Sequence, residues 1–170
     1  MTASRNSNMS QPDRSLPADD TARTLARSLL REARHGALAF IDPASGAPGI
    51  SRIALGLEAS GVPVSLMSSL TQHEPALRAR PEAALMVGEV GARGDPLTHP
   101  RLMLKVRAQF VAPDDPSRPA LRERWLKDHP KSTLYVDFAD FHFVRLVPVS
   151  ALLNGGFGRA HRLDAADLAG

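Results

Sequence analysis

The chain has 170 residues, 43% of them hydrophobic, a formal charge of only +3, and no cysteine. That is the size of one domain with a tail and the composition of a globular protein. It excludes disulfides, thiolate catalysis and cysteine-ligated metal or iron–sulfur centres. It holds no apolar run long enough to cross a bilayer.

Residues 1–18 are polar and aperiodic and read as a disordered tail, with the folded domain over 19–170. The tail lacks the apolar core of a secretory signal, so the expected location is cytoplasmic. Asp19 or Asp20 caps a helix running to about Arg34. Ala22, Leu25, Ala26, Leu29, Leu30 and Ala33 form its apolar face, and Arg23, Arg27, Arg31 and Arg34 take the other. Gly36 stands where a C-terminal cap is expected. Next come a strand over Ala37–Ile41, a breaker-rich turn over Asp42–Pro48, a strand over Gly49–Leu57, a turn at Ala59-Ser60-Gly61 and a strand over Val62–Ser68. Short turns make these three an antiparallel meander.

A short helix from about Gln72 to Arg80 follows, then a strand over Ala83–Val90 and a loop to Pro100. Arg101–Val111 alternates apolar and polar residues over much of its length, the pattern of a strand with one face inward. Asp115-Pro116 opens a helix anchored by Leu121, Trp125 and Leu126 and ended by Pro130, with a short helical piece over about Lys131–Val136. A strand covers Phe141–Val147. A last strand or edge starts at Leu152-Leu153 and runs through Gly155-Gly156-Phe157-Gly158-Arg159. Six or seven antiparallel strands with helices between them predict a mainly β, α+β architecture: a split β-barrel with flanking helices.

Chemistry is expected where the third strand leaves the sheet. Ser68, Ser69 and Thr71 supply hydroxyls, and the helix opening near Gln72 points free N–H groups back at them. Such a turn is either an anion site or simply a helix cap. Arg52 and His73 can serve a phosphate there, or be a solvated strand residue and a helix-face residue. Arg101 begins a strand, and Arg159 follows three glycines that permit close backbone approach. His35 and His142 read as structural, His99 and His129 as loop residues without a clear partner, and Asp137 and Asp140 as caps. No catalytic triad, phosphate-binding P-loop or zinc signature is present. Aromatic residues are few and not interleaved with the basic ones, so no nucleic acid is expected as partner.

Taken in order, these pieces resemble a known family. They are the helix ending in Arg-His-Gly-Ala-Leu-Ala, the hairpin across Asp42-Pro43, Ser51-Arg52, Ser68-Ser69-Leu70-Thr71-Gln72-His73, Pro100-Arg101-Leu102, Tyr135-Val136-Asp137-Phe138-Ala139-Asp140-Phe141, and Gly155-Gly156-Phe157-Gly158-Arg159-Ala160. The set resembles the pyridoxamine 5′-phosphate oxidase-like, FMN-binding split-barrel superfamily, and within it the branch of haem-utilisation proteins. The resemblance implies a homodimeric FMN-binding flavoprotein, an oxidoreductase acting on a small molecule, with the cofactor at the subunit interface. It implies a phosphate held by Arg52, Ser68, Thr71, Gln72 and His73, with Arg101 and Arg159 as further cofactor contacts. The oxidases carry a Ser-Arg-Lys run where this chain has Gln72-His73-Glu74, and Gln where it has Leu102, so pyridoxine-phosphate oxidation is not implied. The haem-handling relatives imply an alternative: haem, with His161 as the axial ligand. A third reading is a cofactor-free dimeric binding module.

Overall fold

The computed structural model describes residues 15–156 and 159–169. Helix α1 spans Asp20–Glu32, and the Asp19 side chain accepts the Ala22 N–H at 2.7 Å. Ala22, Ala26 and Leu30 are its buried residues, so the 3.6-residue period does what the sequence promised. Gly36 does not cap it. The helix ends at Ala33 with extended dihedrals, and Gly36 lies inside strand β2 (His35–Ile41). A Cβ there would sit 2.8–2.9 Å from Leu55, Leu85 and the Met86 carbonyl. The glycine is needed for close packing, not for a left-handed turn.

Strand β1 is Leu16–Pro17, which pairs in parallel with the last strand; residues 15–18, expected in the tail, therefore belong to the fold. Residues 1–14 lie outside the described residues, as do Phe157 and Gly158 of the glycine-rich stretch. Strand β3 is Pro48–Ala54, β4 Gly56–Leu57 and β5 Pro63–Ser68. Helix α2 is His73–Ala79, followed by β6 (Glu82–Val87) and β7 (Arg101–Phe110). Helix α3 is Arg118–Asp128, with a 3-10 turn over Pro130–Leu134 behind it. Strand β8 runs from Phe141 to Asn154, β9 from Ala160 to Asp164, and α4 from Ala165 to Leu168.

These elements form a mixed sheet of nine strands in the order β1-β9-β8-β7-β6-β2-β3, with β4 paired to β5 and β5 to β8. The count exceeds the six or seven expected because two-residue pieces and β9 are added. The meander is also different from expectation: β2 pairs with β3, but β5 pairs with β4 and β8. The sheet is not closed. Between β3 and β4 there is no ladder, only the chain passing through Leu55, whose N–H is bonded to the Arg34 carbonyl. That gap is the split of a split barrel.

The main core fills the inside, from Leu38 and Phe40 on β2 to Leu146 and Leu153 on β8 and Leu163 on β9, with α1, α2 and α4 closing it. A second cluster lies outside β5 and the first half of β8, where Val64, Leu66 and Phe143 are covered by Leu121 and Trp125 of α3 and by Val136. Helix α3 starts at Arg118, three residues after Asp115. Asp115 accepts the Ser117 N–H and hydroxyl and so shapes the preceding turn instead of capping.

Candidate functional site

The outer face of β3, β2, β6, β7 and the second half of β8 carries no helix. Strand alternation sends every second residue to that face. The pairing register then aligns one row across six strands: Arg52, Ala37, Met86, Met103, Leu152 and Arg162. The row beside it reads Ile50, Ala39, Ala84, Lys105, Ser150 and Asp164. Ile50 is 76% exposed and Met86 47%. The first row is an apolar strip with a guanidinium at each end. At its β7–β9 end a cleft of ≈ 640 Å³ opens, with Met103 and Leu152 in its lining and Arg23, Lys105 and Arg162 around them together with Asp164 and Asp167.

The turn after β5 forms as the sequence suggests, but its polar groups are already used. The Ser68 hydroxyl donates to Asp140 Oδ2 at 2.7 Å, and the Ser69 N–H to the Asp140 carbonyl at 2.8 Å. The Thr71 hydroxyl donates to the Ser68 carbonyl at 2.7 Å. Gln72 precedes α2 without a side-chain capping bond. His73 is buried, 9% exposed, with its ring 6.3 Å from that of Phe40. Burial pulls its pKa below the ordinary imidazole value, against the pull of Glu74; at neutral pH it is not a cation. Glu74 is 1% exposed. It holds Arg78 at 2.8 Å and lies 3.2 Å from His142 Nδ1. The imidazole is off the hydrogen-bond direction, so its Nδ1 has no bonded partner among the described residues. Arg78 in turn caps the Phe110 ring at 4.0 Å.

Thus Ser68 and Thr71 come together, with Gln72 and His73 next in the chain, but Arg52 stands apart. Its side chain belongs to the outer row and has no ion pair or hydrogen bond among the described residues, whereas α2 packs its His73, Ala76 and Leu77 inward. Arg101 donates to the Leu97 carbonyl at 3.0 Å. Arg159 is exposed at the start of the last strand, its carbonyl bonded to Gly155 N–H at 2.8 Å. His161 lies 3.2 Å from the Pro17 carbonyl through Nδ1. It shares its face of β9 with buried Leu163, so it points to the side opposite Arg162. Asp137 is forked by Arg122 at 2.6 and 2.8 Å. The two loop histidines have partners after all: His129 Nε2 sits 2.7 Å from the Leu55 carbonyl and stacks on Trp125, and His99 Nε2 is 3.0 Å from the Arg93 carbonyl. Among the described residues no cluster of histidine and carboxylate groups is fit to hold a metal ion by itself. No helix among them is long and apolar enough to cross a membrane.

A sheet of this order, open between β3 and β4 and plugged by helices, defines a split-barrel protein. The chain belongs to the family described as CREG, beta-barrel, which matches residues 17–168. It is similar to the non-canonical heme oxygenase HOZ of Arabidopsis thaliana, 30% identical over 109 residues, 64% of this chain and 32% of that protein. Among solved structures, one is 44% identical, with a TM-score of 0.82 over 91% of this chain and 99% of its own. A heme binding protein from Mycobacterium smegmatis is 26% identical, with a TM-score of 0.79 over 89% of this chain and 61% of its own. The chain therefore spans about a third of the curated relative and three-fifths of the mycobacterial protein. A pyridoxinephosphate oxidase family protein from Clostridium acetobutylicum, 11% identical with a TM-score of 0.67 over 89% of this chain and 99% of its own, shares the fold. The resemblance to the oxidase-like split barrels and their haem-utilisation branch is thereby borne out.

The two implied cofactors fare differently against these residues. A phosphate needs free hydroxyls, N–H groups and cations. The turn offers hydroxyls bound to Asp140 and to the backbone, a neutral buried histidine and a seven-residue helix. The flavin phosphate does not fit the turn as it stands. Haem needs a flat apolar surface and cations for its carboxylates, and the outer row has both.

Proposed function

We propose that this chain is a haem-binding protein that carries haem on the bare outer face of its sheet, at a surface shared by two copies of the chain. The row from Arg52 to Arg162 carries this reading. Strands lie about 4.8 Å apart, so six of them span about 24 Å. That is room for a flat macrocycle with a cation beyond either edge. Ala37, Met86, Met103 and Leu152 exclude water from the ring, and Arg52 and Arg162 receive carboxylates. A second copy of the same face covers the far side and removes Ile50 and Met86 from solvent. When bound, haem supplies the iron at which oxygen or electron chemistry takes place. His161, the ligand that the resemblance implied, lies on the opposite face of β9 from Arg162, its Nδ1 3.2 Å from the Pro17 carbonyl, and so is not placed over this strip. The heme oxygenase and heme binding relatives support the same class of ligand.

The test is haemin titration followed by absorbance, with sedimentation of the same samples. A saturable Soret band is expected, lost or weakened at least about tenfold in Met86→Arg, the cost of placing a charge on an apolar contact. Unchanged haem binding in Met86→Arg would overturn the site. His161→Ala, on the opposite face of β9, is expected to leave the band unchanged, and a shifted band would move the haem off the outer strip.

A second reading is FMN, as an oxidoreductase passing electrons to a small substrate, and the unpaired Arg52 favours it. It requires the phosphate to contribute affinity. If FMN binds no tighter than riboflavin, that reading fails while the haem site stands.

A further inference from the structure

Helices α1, α4 and α3 and the turn after β4 enclose a groove of ≈ 360 Å³. Leu30, Leu57 and Leu168 supply its apolar lining, and Leu30 and Leu168 belong to the core. Arg27 and Arg31 enter from successive turns of α1, and Arg124 from α3. A second cleft of ≈ 610 Å³ adjoins it, sharing Glu58, Ala59 and Arg124.

The charges in this groove are unbalanced. Its single carboxylate, Glu58, is occupied on both oxygens: Arg145 Nε donates to Oε1 at 2.5 Å, and the Ser60 hydroxyl to Oε2 at 3.2 Å. Nearby acids are committed elsewhere, Asp128 to Arg34, Glu123 to Lys127 and Asp167 to Arg23. Arg27 donates to the Asp167 carbonyl at 2.9 Å and shares the Asp167 carboxylate's field with Arg23. Arg31 and Arg124 have no side-chain carboxylate partner among the described residues. Three guanidinium groups over an apolar floor repel one another unless an anion lies between them.

A second observation lies just below. Trp125 follows Arg124 in α3, is 3% exposed, and its Nε1 has no partner among the described residues. Its Cε3–Cζ3 edge faces Gly56 in a void of ≈ 10 Å³ that Arg124, Leu57 and Asp128 also line. A buried donor without an acceptor is seldom left so.

We propose that this groove is a second ligand site, for a small organic anion with an apolar body: a phosphate monoester or carboxylate whose charged end is forked by Arg31 and Arg124 and whose body lies on Leu30, Leu57 and Leu168. Arginine suits such a role because its planar fork meets two acid oxygens at once. The site is independent of the haem reading, since it uses none of the same residues.

The test uses the unaltered full chain without haem. Phenyl phosphate, inorganic phosphate and benzoate are titrated in turn by calorimetry, with the emission of Trp125, the single tryptophan of the chain, as a second signal. Saturable binding of phenyl phosphate is expected, at least about tenfold tighter than inorganic phosphate because of the apolar floor. Comparison with benzoate tells whether the acid is a phosphate or a carboxylate; binding of either supports the site. Arg31→Ala and Arg124→Ala each weaken it about tenfold, the worth of a charge-assisted hydrogen bond. Arg93→Ala, on an exposed loop, leaves it unchanged. Both groove arginines are exposed, so the variants are expected to fold, and a thermal melt checks this. Absence of saturable uptake up to about 10 mM, equal binding of phenyl and inorganic phosphate, or binding indifferent to both arginine variants would each overturn the proposal.

Discussion

The two outer surfaces of this sheet are made of the same kind of strand and end up differently. Outside β5 and the first half of β8, Val64, Leu66 and Phe143 are sealed by α3, with Trp125 edge-on to Phe143 at 5.9 Å. Outside β2, β3, β6, β7 and the second half of β8, Ile50, Met86, Met103 and Leu152 meet solvent. On the first face the large apolar groups are consumed by folding. On the second they remain for a ligand or another chain. Stability is thus drawn from one stretch of the outer surface and, under the function proposed above, ligand binding from another, so substitutions can separate them.

The largest effect is expected on the covered face. Trp125→Ala empties the contact between α3 and β5–β8 and costs about 3–5 kcal/mol, measured by urea unfolding; a loss below about 1 kcal/mol would show that α3 adds little there. Next comes the clamp at the end of that face. Asp140→Ala removes the acceptor of the Ser68 hydroxyl but keeps the main-chain carbonyl that holds the Ser69 N–H, and costs about 1 kcal/mol. The same variant frees Ser68, so any preference for FMN over riboflavin is expected to rise; an unchanged ratio would mean that Asp140 does not set it.

A smaller effect follows from His73. Its folded-state pKa is depressed by burial, so the unfolded chain binds the proton more readily. Its contribution is full above the unfolded value, about 6.5, and is lost as pH falls through that value toward the lowered one. Thermal melts between about pH 8 and pH 5 are expected to decline more steeply for the native chain than for His73→Gln. Parallel curves would mean that the proton is accommodated. The smallest stability change belongs to the bare face: Met86→Arg is expected to alter monomer stability by no more than about 0.5 kcal/mol, while abolishing self-association in a dilution series. A large loss of stability would mean that the face is part of the core and not a surface in waiting.

Much of this was legible from local pattern. The Asp19 cap, the α1 stripe, the alternation of β7 and the breaker-rich hairpin all act over a few residues. What escaped depended on distant partners. Strand β8 reads as ending at Val147 because Pro148 follows, yet it continues to Asn154. The register shifts opposite Lys105 and Val106, leaving Val149 as the extra residue beside the proline. A bulge is where a strand tolerates proline. The hydroxyl-rich turn was correctly placed, but its occupant was not visible: Asp140 is 72 residues from Ser68 and no spacing links them. The outer row was equally hidden, since single residues on five strands and an added edge strand become a surface only after pairing.

Strand β8 also sets the order in which the chain can be built. It borders β5, β7 and β9, and nearly every ladder on the far side of the split passes through it. Its partners in β5 lie more than 70 residues upstream, and β1 must wait still longer for β9. On a ribosome, the chain up to residue 140 is left with β5 unpaired along one edge and Leu66 and Met67 uncovered. Such long-range closure is slow, and an open edge of this kind invites pairing with other chains. The nascent protein is accordingly expected to depend on chaperone holding until Asn154 has emerged, and to be most prone to aggregation when stalled just short of it.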